Sequence, residues 1–166
     1  MDQVDRILDQ WRSERPDLDV VPMGLFGRLS RLTSHLSAQI DKPFEARGLN
    51  AASFDVLATL RRSGPPYALS PSALIAWTMV TSGTMTNRID RLEKAGLVSR
   101  AADPNDGRGS LVTLTDKGFA LIDDLIGEHV ANQHRLIAGL DEAESAELDR
   151  LLAKWLACFE TDKNEG

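Results

Sequence analysis

The 166-residue chain lacks features that several classes of protein require. It has one cysteine, Cys158, which excludes an internal disulfide framework and a metal site built from several cysteines. No apolar run has the length needed to cross a bilayer, and the charged first residues lack the apolar stretch of a signal peptide. We therefore expect a cytoplasmic protein with no membrane partner.

Motifs of catalysis are missing as well. The sequence contains no nucleophile elbow, no phosphate-binding loop and no paired catalytic carboxylates. Its three histidines, His35, His129 and His134, do not have zinc-site spacing. We therefore expect neither an enzyme nor a cofactor or metal. Cys158 falls on the apolar side of the last predicted helix, which predicts a buried packing role.

Charge is distributed unevenly along the chain, whose formal net charge is −6. Residues 1–118 carry 15 Lys/Arg and 14 Asp/Glu, a net of +1, whereas residues 119–166 carry 4 and 11, a net of −7. DNA binding needs a local basic surface rather than a high overall pI, so this balance leaves a DNA partner open. The acidic last third also suits a protein partner.

Helical periodicity dominates what the sequence does contain. Asn50, Ser70 and Thr115 stand where N-caps are expected, and Asp141 with Glu144 has the spacing of a capping box. The apolar spacing and these caps predict helices over residues 2–14, 22–48, 51–62, 71–77, 81–94, 116–137 and 142–159. Turn-forming residues between two short β-prone runs predict a hairpin with strands at residues 97–101 and 110–114.

The order of these elements predicts a mainly α fold of the winged helix-turn-helix type. The DNA-binding lobe with its single β-hairpin wing covers residues 51–115, and an N-terminal extension helix lies within residues 1–21. Long helices within residues 22–50 and 116–160 carry more apolar surface than so small a lobe can cover. We interpret them as dimerisation helices of a two-fold homodimer.

The segment from residue 86 to residue 118, TNRIDRLEKAGLVSRAADPNDGRGSLVTLTDKG, resembles the MarR family. Residues 92–98 meet the pattern Leu-Glu-x-x-Gly-Leu-Val, and residues 106–118 meet Asp-x-Arg, an aliphatic residue, Leu-Thr and a glycine. The resemblance implies that helix 81–94 enters the major groove of duplex DNA while Arg108 enters the minor groove. Gly107 stands where many members of the family carry a second basic residue, which implies that this wing binds DNA less strongly.

The outward side of helix 81–94 supplies most candidate DNA contacts. At about 100° per residue, Met85, Ile89 and Leu92 form the buried stripe. On the opposite side, Asn87 suits adenine, and Arg91 suits guanine or a phosphate. The predicted DNA-binding residues are Ser82, Gly83, Thr84, Thr86, Asn87, Arg91, Lys94 and Arg108.

A narrower resemblance concerns urate-responsive members of the family that have an extra N-terminal helix. Their signature is met here by Trp11, Asp55, Arg88 and Arg100. The resemblance implies that Trp11 stacks on the ligand and that Arg88 pairs with its negative charge. Asp55 and Arg100 would then link that charge to the recognition helix. Urate, another purine-like or phenolic anion, and no ligand all stay open; without a ligand, Trp11 packs in the dimer interface and Asp55 bridges Arg88.

Together these features predict a sequence-specific transcriptional regulator that acts as a repressor. It would bind a pseudo-palindromic operator in double-stranded DNA as a homodimer, and a small anionic or aromatic effector such as urate would release it. The alternative is a winged-helix dimer that serves as a protein–protein interaction module without DNA binding.

Overall fold

A computed structural model describes residues 1–78, 85–103 and 106–160, with the backbone alone for residues 106–108. Its elements are α1 (Gln3–Glu14), α2 (Val21–Glu45), α3 (Ala51–Arg62), β1 (Ala68–Leu69), α4 (Pro71–Trp77), α5 (Met85–Lys94), β2 (Val98–Asp103), β3 (Asp106–Leu114), α6 (Asp116–Ile137) and α7 (Glu142–Glu160). They form two compact units, Met1–Gly127 and the part that begins at Glu128. No helix within the described ranges is both long and apolar enough to span a membrane. The mainly helical winged-helix fold is confirmed.

Local capping sets the starts of α3, α4 and α7. Asn50 and Ser70 each accept a hydrogen bond from the backbone N–H three residues later, at 2.9 and 3.2 Å. Asp141 and Glu144 form the reciprocal capping box, with bonds of 2.8 and 2.9 Å. Each cap satisfies N–H groups that have no partner within the helix. Helices α3, α4 and α7 therefore begin directly after Asn50, Ser70 and Asp141, as the sequence predicts.

The wing belongs to a three-stranded antiparallel sheet in the order β1–β3–β2. Strands β2 and β3 pair from Val98 opposite Leu114 to Asp103 opposite Asp106. Both strands run further toward the tip than predicted, because cross-strand hydrogen bonding continues into residues of turn-forming type. Strand β1 was not predicted, since two residues show no periodicity; Leu69 lies opposite Val112 of the wing.

One apolar core joins α3, α4, α5, the sheet and the first half of α6. Its fully buried side chains include Leu57, Leu60, Leu74, Met85, Ile89, Leu92, Val98, Val112, Ile122 and Leu125. Burying each such side chain stabilises the fold by roughly 1.5–3 kcal/mol relative to leaving it in water. The core packs against one side of α5, through Met85, Ile89 and Leu92, and leaves the other side of the helix exposed.

The end of α5 is joined to the start of α6 by a set of close contacts that we call the α5–α6 clamp (Gly96, Leu97, Thr115 and Gly118). Gly96, at φ +70°, adopts the left-handed conformation that ends α5, and Leu97 N donates back to Leu92 O at 2.9 Å. Thr115 Oγ1 donates to Gly96 O at 2.7 Å and accepts from Gly118 N at 3.0 Å. The clamp explains why this motif needs glycine and threonine at fixed spacing.

Gly118 makes the closest approach within the clamp. A β-carbon at this position would lie 1.9 Å from the carbonyl oxygen of Leu97. The same oxygen accepts a hydrogen bond from Thr115 N at 3.1 Å, so it has a fixed place. Only glycine therefore allows α6 to start against the chain that leaves α5.

Helix α1 packs on the first half of α2 through small residues. Val4 and Leu8 of α1 are each 5% exposed. A β-carbon at Gly24 would lie 3.0 Å from Leu8 Cδ1, and one at Gly27 would lie 3.3 Å from Val4 Cγ1. The two glycines thus let the helices approach closely. Asp2 and Asp5, the two acidic residues of the α1 capping box, both form ion pairs with Arg28 of α2. The Nε atom of Arg28 lies 2.9 Å from the Asp2 carboxylate.

Two arginines connect the region of α3 to neighbouring aspartates of α6. The Arg61 guanidinium lies 2.7 Å from Asp123 and stacks 4.6 Å over the ring of Phe119. Arg47, in the link between α2 and α3, lies 2.7 Å from Asp124. The first half of α6 is therefore held on two sides.

Helix α7 differs from its prediction in one respect. None of its described side chains is buried, and Cys158 is exposed, with Sγ 3.6 Å from Lys154 O. The prediction that Cys158 is buried is wrong for the protomer, because no described residue covers the apolar row of α7 beside it. That row contains Leu148, Leu151, Leu152, Leu156 and Phe159, all at least 41% exposed.

Candidate nucleic-acid interface

Helix α5 has one apolar side and one polar side. Met85, Ile89 and Leu92 are 1–2% exposed and anchor the helix in the core, as predicted. The outward side carries Asn87, Arg91 and Lys94, and Thr86 lies at its edge; we call these four exposed residues the α5 ridge. A rigid helix with hydrogen-bonding side chains in a row has the form needed to read base edges in a major groove.

The two acidic residues of α5 are engaged by Arg100 of β2. Its guanidinium lies 2.5 Å from Asp90 and 2.6 Å from Glu93, and its backbone N–H donates to Glu93 at 3.2 Å. The hydrogen bond to Asp90 is the main cause that raises the pKa of Arg100. Arg100 thereby offsets two negative charges beside the α5 ridge and ties α5 to the wing.

Part of the predicted DNA surface lies outside the described residues. Ser82, Gly83 and Thr84 precede the described start of α5 at Met85. The backbone of Arg108 belongs to β3, and its side chain is outside the description. The assignment of these four residues to DNA contact remains a prediction.

The four predicted ligand residues occupy α1, α3, α5 and β2. Trp11 of α1 is 40% exposed and borders an open cleft with Gln10, Ser13 and Glu14. Arg88 of α5 is partly buried, and its Nη1 atom is fully buried without a hydrogen-bond partner among the described residues. Arg100 is tied to α5, the helix that carries Arg88, whereas the described neighbours of Trp11 in its cleft belong to α1.

Asp55 of α3 is partly buried and has a cation beside it. Arg62 Nη1 lies 3.9 Å from Asp55 Oδ1. No sequence motif marks this pair, although a spacing of seven residues places both side chains on one side of a helix. Asp90 and Glu93 were likewise not recognised as partners of Arg100, because the contact depends on how β2 folds back along α5.

Comparisons with known proteins agree with this geometry. A model of the MarR family matches residues 47–109. The HTH-type transcriptional regulator PecS of Dickeya dadantii is 45% identical over 152 residues, which cover 92% of each chain.

Solved structures show the same fold. One is a structure of BpsR from Bordetella bronchiseptica, which concerns the regulation of its DNA binding by 6-hydroxynicotinic acid. BpsR is 31% identical to this chain with a TM-score of 0.68, and the match covers 76% of this chain and 89% of that one. Another is a mutant MarR from Escherichia coli complexed with operator DNA, 28% identical with a TM-score of 0.68, covering 82% of this chain and 95% of that one. From these matches together with the α5 ridge, the wing and the α5–α6 clamp, the chain belongs to the MarR family of winged-helix transcriptional regulators.

Proposed function

We propose that this protein is a transcriptional repressor that binds a specific operator through the α5 ridge. The observation that carries the proposal is the ridge itself: Asn87, Arg91 and Lys94 are exposed in a row on a helix whose other side is fixed in the core. In this arrangement Asn87 hydrogen-bonds adenine, and Arg91 contacts guanine or a phosphate. Arg108 at the wing extends the contact into the flanking minor groove.

Local electrostatics support DNA binding despite the net charge of −6. Arg91 and Lys94 contribute two cations to the ridge, and the nearby carboxylates of Asp90 and Glu93 are paired with Arg100. A phosphate backbone therefore meets a surface whose acids are offset. The surplus of negative charge belongs to residues 119–166.

The proposal includes a homodimer with two-fold symmetry. The α7 row and the first half of α2, with Leu25 and Phe26 at 57% and 58% exposed, offer apolar surface that a second copy can cover. Two ridges related by a two-fold axis require a pseudo-palindromic operator with half-sites about one helical turn apart. The E. coli relative was solved in complex with operator DNA, which supports the binding of an operator.

Fluorescence anisotropy with the intergenic DNA beside the protein's own gene tests the proposal. We expect specific binding whose affinity falls steeply between about 50 and 200 mM salt, because phosphate contacts release counterions. Arg91→Ala should weaken operator binding about tenfold, in line with the loss of one base or phosphate contact. Arg150→Ala is the matched control, because it also removes one arginine, at a position paired with Glu147 on α7.

Equal losses in the two variants would contradict the assignment of α5 as the reading helix. Absence of binding to operator and random DNA alike at low salt would contradict DNA binding itself. It would favour the second candidate, a protein–protein interaction module, for which the acidity of residues 119–166 is the supporting observation.

We also infer that a small anionic aromatic effector such as urate relieves DNA binding. The Nη1 of Arg88 is buried and has no hydrogen-bond partner among the described residues, which supports an anion partner, and the 40% exposed ring of Trp11 supports stacking. The relative BpsR, whose DNA binding is regulated by 6-hydroxynicotinic acid, supports regulation of this kind. An effector bound to Arg88 acts on α5 directly, since Arg88 belongs to that helix.

Titration of urate into the protein–DNA complex tests the effector. Release with a coupling of about 1–3 kcal/mol is expected, equivalent to a 5- to 150-fold loss of affinity for DNA. Trp11→Leu should keep operator binding and reduce the response to urate. A complex that persists at the solubility limit of urate would contradict urate, and 6-hydroxynicotinate titrated in the same way would then test a second anion.

A further inference from the structure

A cleft of about 400 Å³ lies between the end of α3, strand β1 and the end of α4. Its described lining residues are Thr59, Arg62, Ser63, Leu69 and Trp77, none of which belongs to the set proposed above to bind urate. The lining is mostly apolar, and its volume falls in the range of small-molecule sites.

Thr59 gives the cleft a hydroxyl that makes no hydrogen bond to the part of the chain that the structure describes. The residue is 2% exposed, and its Oγ1 has no hydrogen-bond partner among the described residues. Buried hydroxyls are normally paired, because leaving one without a partner sacrifices its bonds to water. One polar atom of a bound molecule would restore the missing bond.

Trp77 gives the cleft a flat apolar wall. The residue is 67% exposed at the end of α4, and its carbonyl oxygen accepts a hydrogen bond from Arg62 Nη2 at 2.5 Å. An exposed indole on a fixed backbone suits stacking by another aromatic ring. The positive charge of Arg62 is offset by Asp55 at 3.9 Å, so the cleft favours an uncharged occupant over an anion.

We propose that this cleft is a second ligand site, which binds a small, flat, uncharged aromatic molecule with one hydrogen-bonding group. The polar group meets Thr59 Oγ1, the ring lies against Trp77, and Leu69 covers its edge. The site differs from the urate site in its residues and in the charge of the molecule it accepts.

The position of the cleft connects it to DNA binding. Leu69 pairs with Val112 of the wing strand β3, and Trp77 ends the helix that precedes α5. A molecule in the cleft therefore touches three elements of the DNA-binding lobe. This coupling rests on the proposed function, whereas binding of the molecule does not. Where coupling exists, DNA and ligand must change each other's affinity by the same factor.

Fluorine NMR of the full-length protein labelled with 5-fluorotryptophan, titrated with 1-naphthol, tests the proposal. The chain has three tryptophans, Trp11, Trp77 and Trp155, and Trp→Phe variants assign their signals. We expect a saturable shift of the Trp77 signal without a matching shift of Trp11. Absence of a saturable Trp77 shift up to the solubility limit of 1-naphthol would overturn the site, as would equal shifts of all three signals.

Thr59→Val tests the contribution of the hydroxyl to ligand binding, because valine removes the hydroxyl and keeps nearly the same side-chain shape. We expect the variant to bind 1-naphthol about fivefold more weakly, the loss of one neutral hydrogen bond. Its melting temperature should be unchanged or higher, since the hydroxyl makes no bond within the described structure. Thr33→Val, at an exposed position of α2, is the matched control and should keep full affinity.

Unchanged affinity of Thr59→Val for 1-naphthol would overturn the proposed pose. Tighter binding of the anion 1-naphthoate than of 1-naphthol would overturn the proposal that the ligand is uncharged. Operator binding, measured separately by anisotropy, distinguishes these failures from a failure of the proposed function. If the wild-type protein binds operator but does not bind 1-naphthol, only the proposal of a second ligand site is overturned.

Discussion

At Gly118, single-residue geometry decides whether two helices can meet. A β-carbon there would lie 1.9 Å from Leu97 O, which is far inside van der Waals contact, and the atom it meets is backbone rather than a flexible side chain. The oxygen cannot withdraw without loss of its bond from Thr115 N. Relief of the clash would have to move the start of α6 away from the end of α5.

Gly118→Ala should therefore destabilise the protein by about 2–4 kcal/mol, the range of severe packing changes. Thermal unfolding followed by circular dichroism measures the loss. Gly127→Ala in the same helix is the control, since a β-carbon there meets nothing within 4 Å. Alanine should leave stability at Gly127 unchanged or raise it by about 1 kcal/mol, because it is the better helix former. Equal melting temperatures for the two variants would contradict the close packing at the clamp.

At the scale of elements, the contact of α1 with α2 combines apolar packing and charge. The pKa of Asp2 is lowered, first by the hydrogen bond from Asp5 N and then by Arg28. The pKa of Asp5 is lowered in the same way by Asp2 N and Arg28. A carboxylate whose pKa is lowered in the folded state stabilises that state above its unfolded pKa, and this stabilisation is lost as pH falls through the folded value.

Arg28→Ala should accordingly lower the melting temperature at neutral pH, and the difference from wild type should shrink as pH falls below about 3.8, the ordinary aspartate value. Melting curves between pH 7 and about pH 2.5 measure it. Arg31→Ala is the control, because Arg31 donates to the neutral side chain of Gln3 at 2.6 Å and its loss should not depend on pH in this window. A constant difference for Arg28→Ala would show that its ion pairs do not contribute to the attachment of α1.

The same elements show what a sequence can and cannot predict. The starts of α3, α4 and α7 follow from Asn50, Ser70 and Asp141, because a cap and the N–H it satisfies lie within three residues. The Arg100 pairs, the Arg61 stack on Phe119 and strand β1 join residues that are distant in the chain or too few to show periodicity. The cleft at Thr59 depends on three elements at once, and no local sequence pattern marks a buried hydroxyl that makes no hydrogen bond to the described residues.

At the scale of the whole molecule, the apolar row of α7, which no described residue covers, leads us to expect self-association. Leu152 and Leu156 are 44% and 55% exposed in the protomer. Leu152→Glu together with Leu156→Glu should produce a monomer, since two buried charges without partners would oppose association strongly. Light scattering coupled to size-exclusion chromatography measures the mass, and anisotropy should show a parallel loss of operator affinity.

Ala146→Glu adds a charge on the opposite side of α7 and serves as the control, which should remain a dimer. If the double variant stays dimeric, the interface lies elsewhere and the assignment of this row is wrong.

The paired aspartates of α6 have a mechanical consequence. Asp123 and Asp124 are neighbours in sequence, so their side chains leave the helix about 100° apart, and each is held by an arginine from a different place in the chain. Two ion pairs at different azimuths oppose rotation of this part of the helix about its long axis, each by the modest amount that a surface ion pair contributes. They therefore favour one rotational position of the first half of α6 relative to α3 and to the link between α2 and α3. A rotation of the first half of α6 about its own axis would lengthen both ion pairs at once.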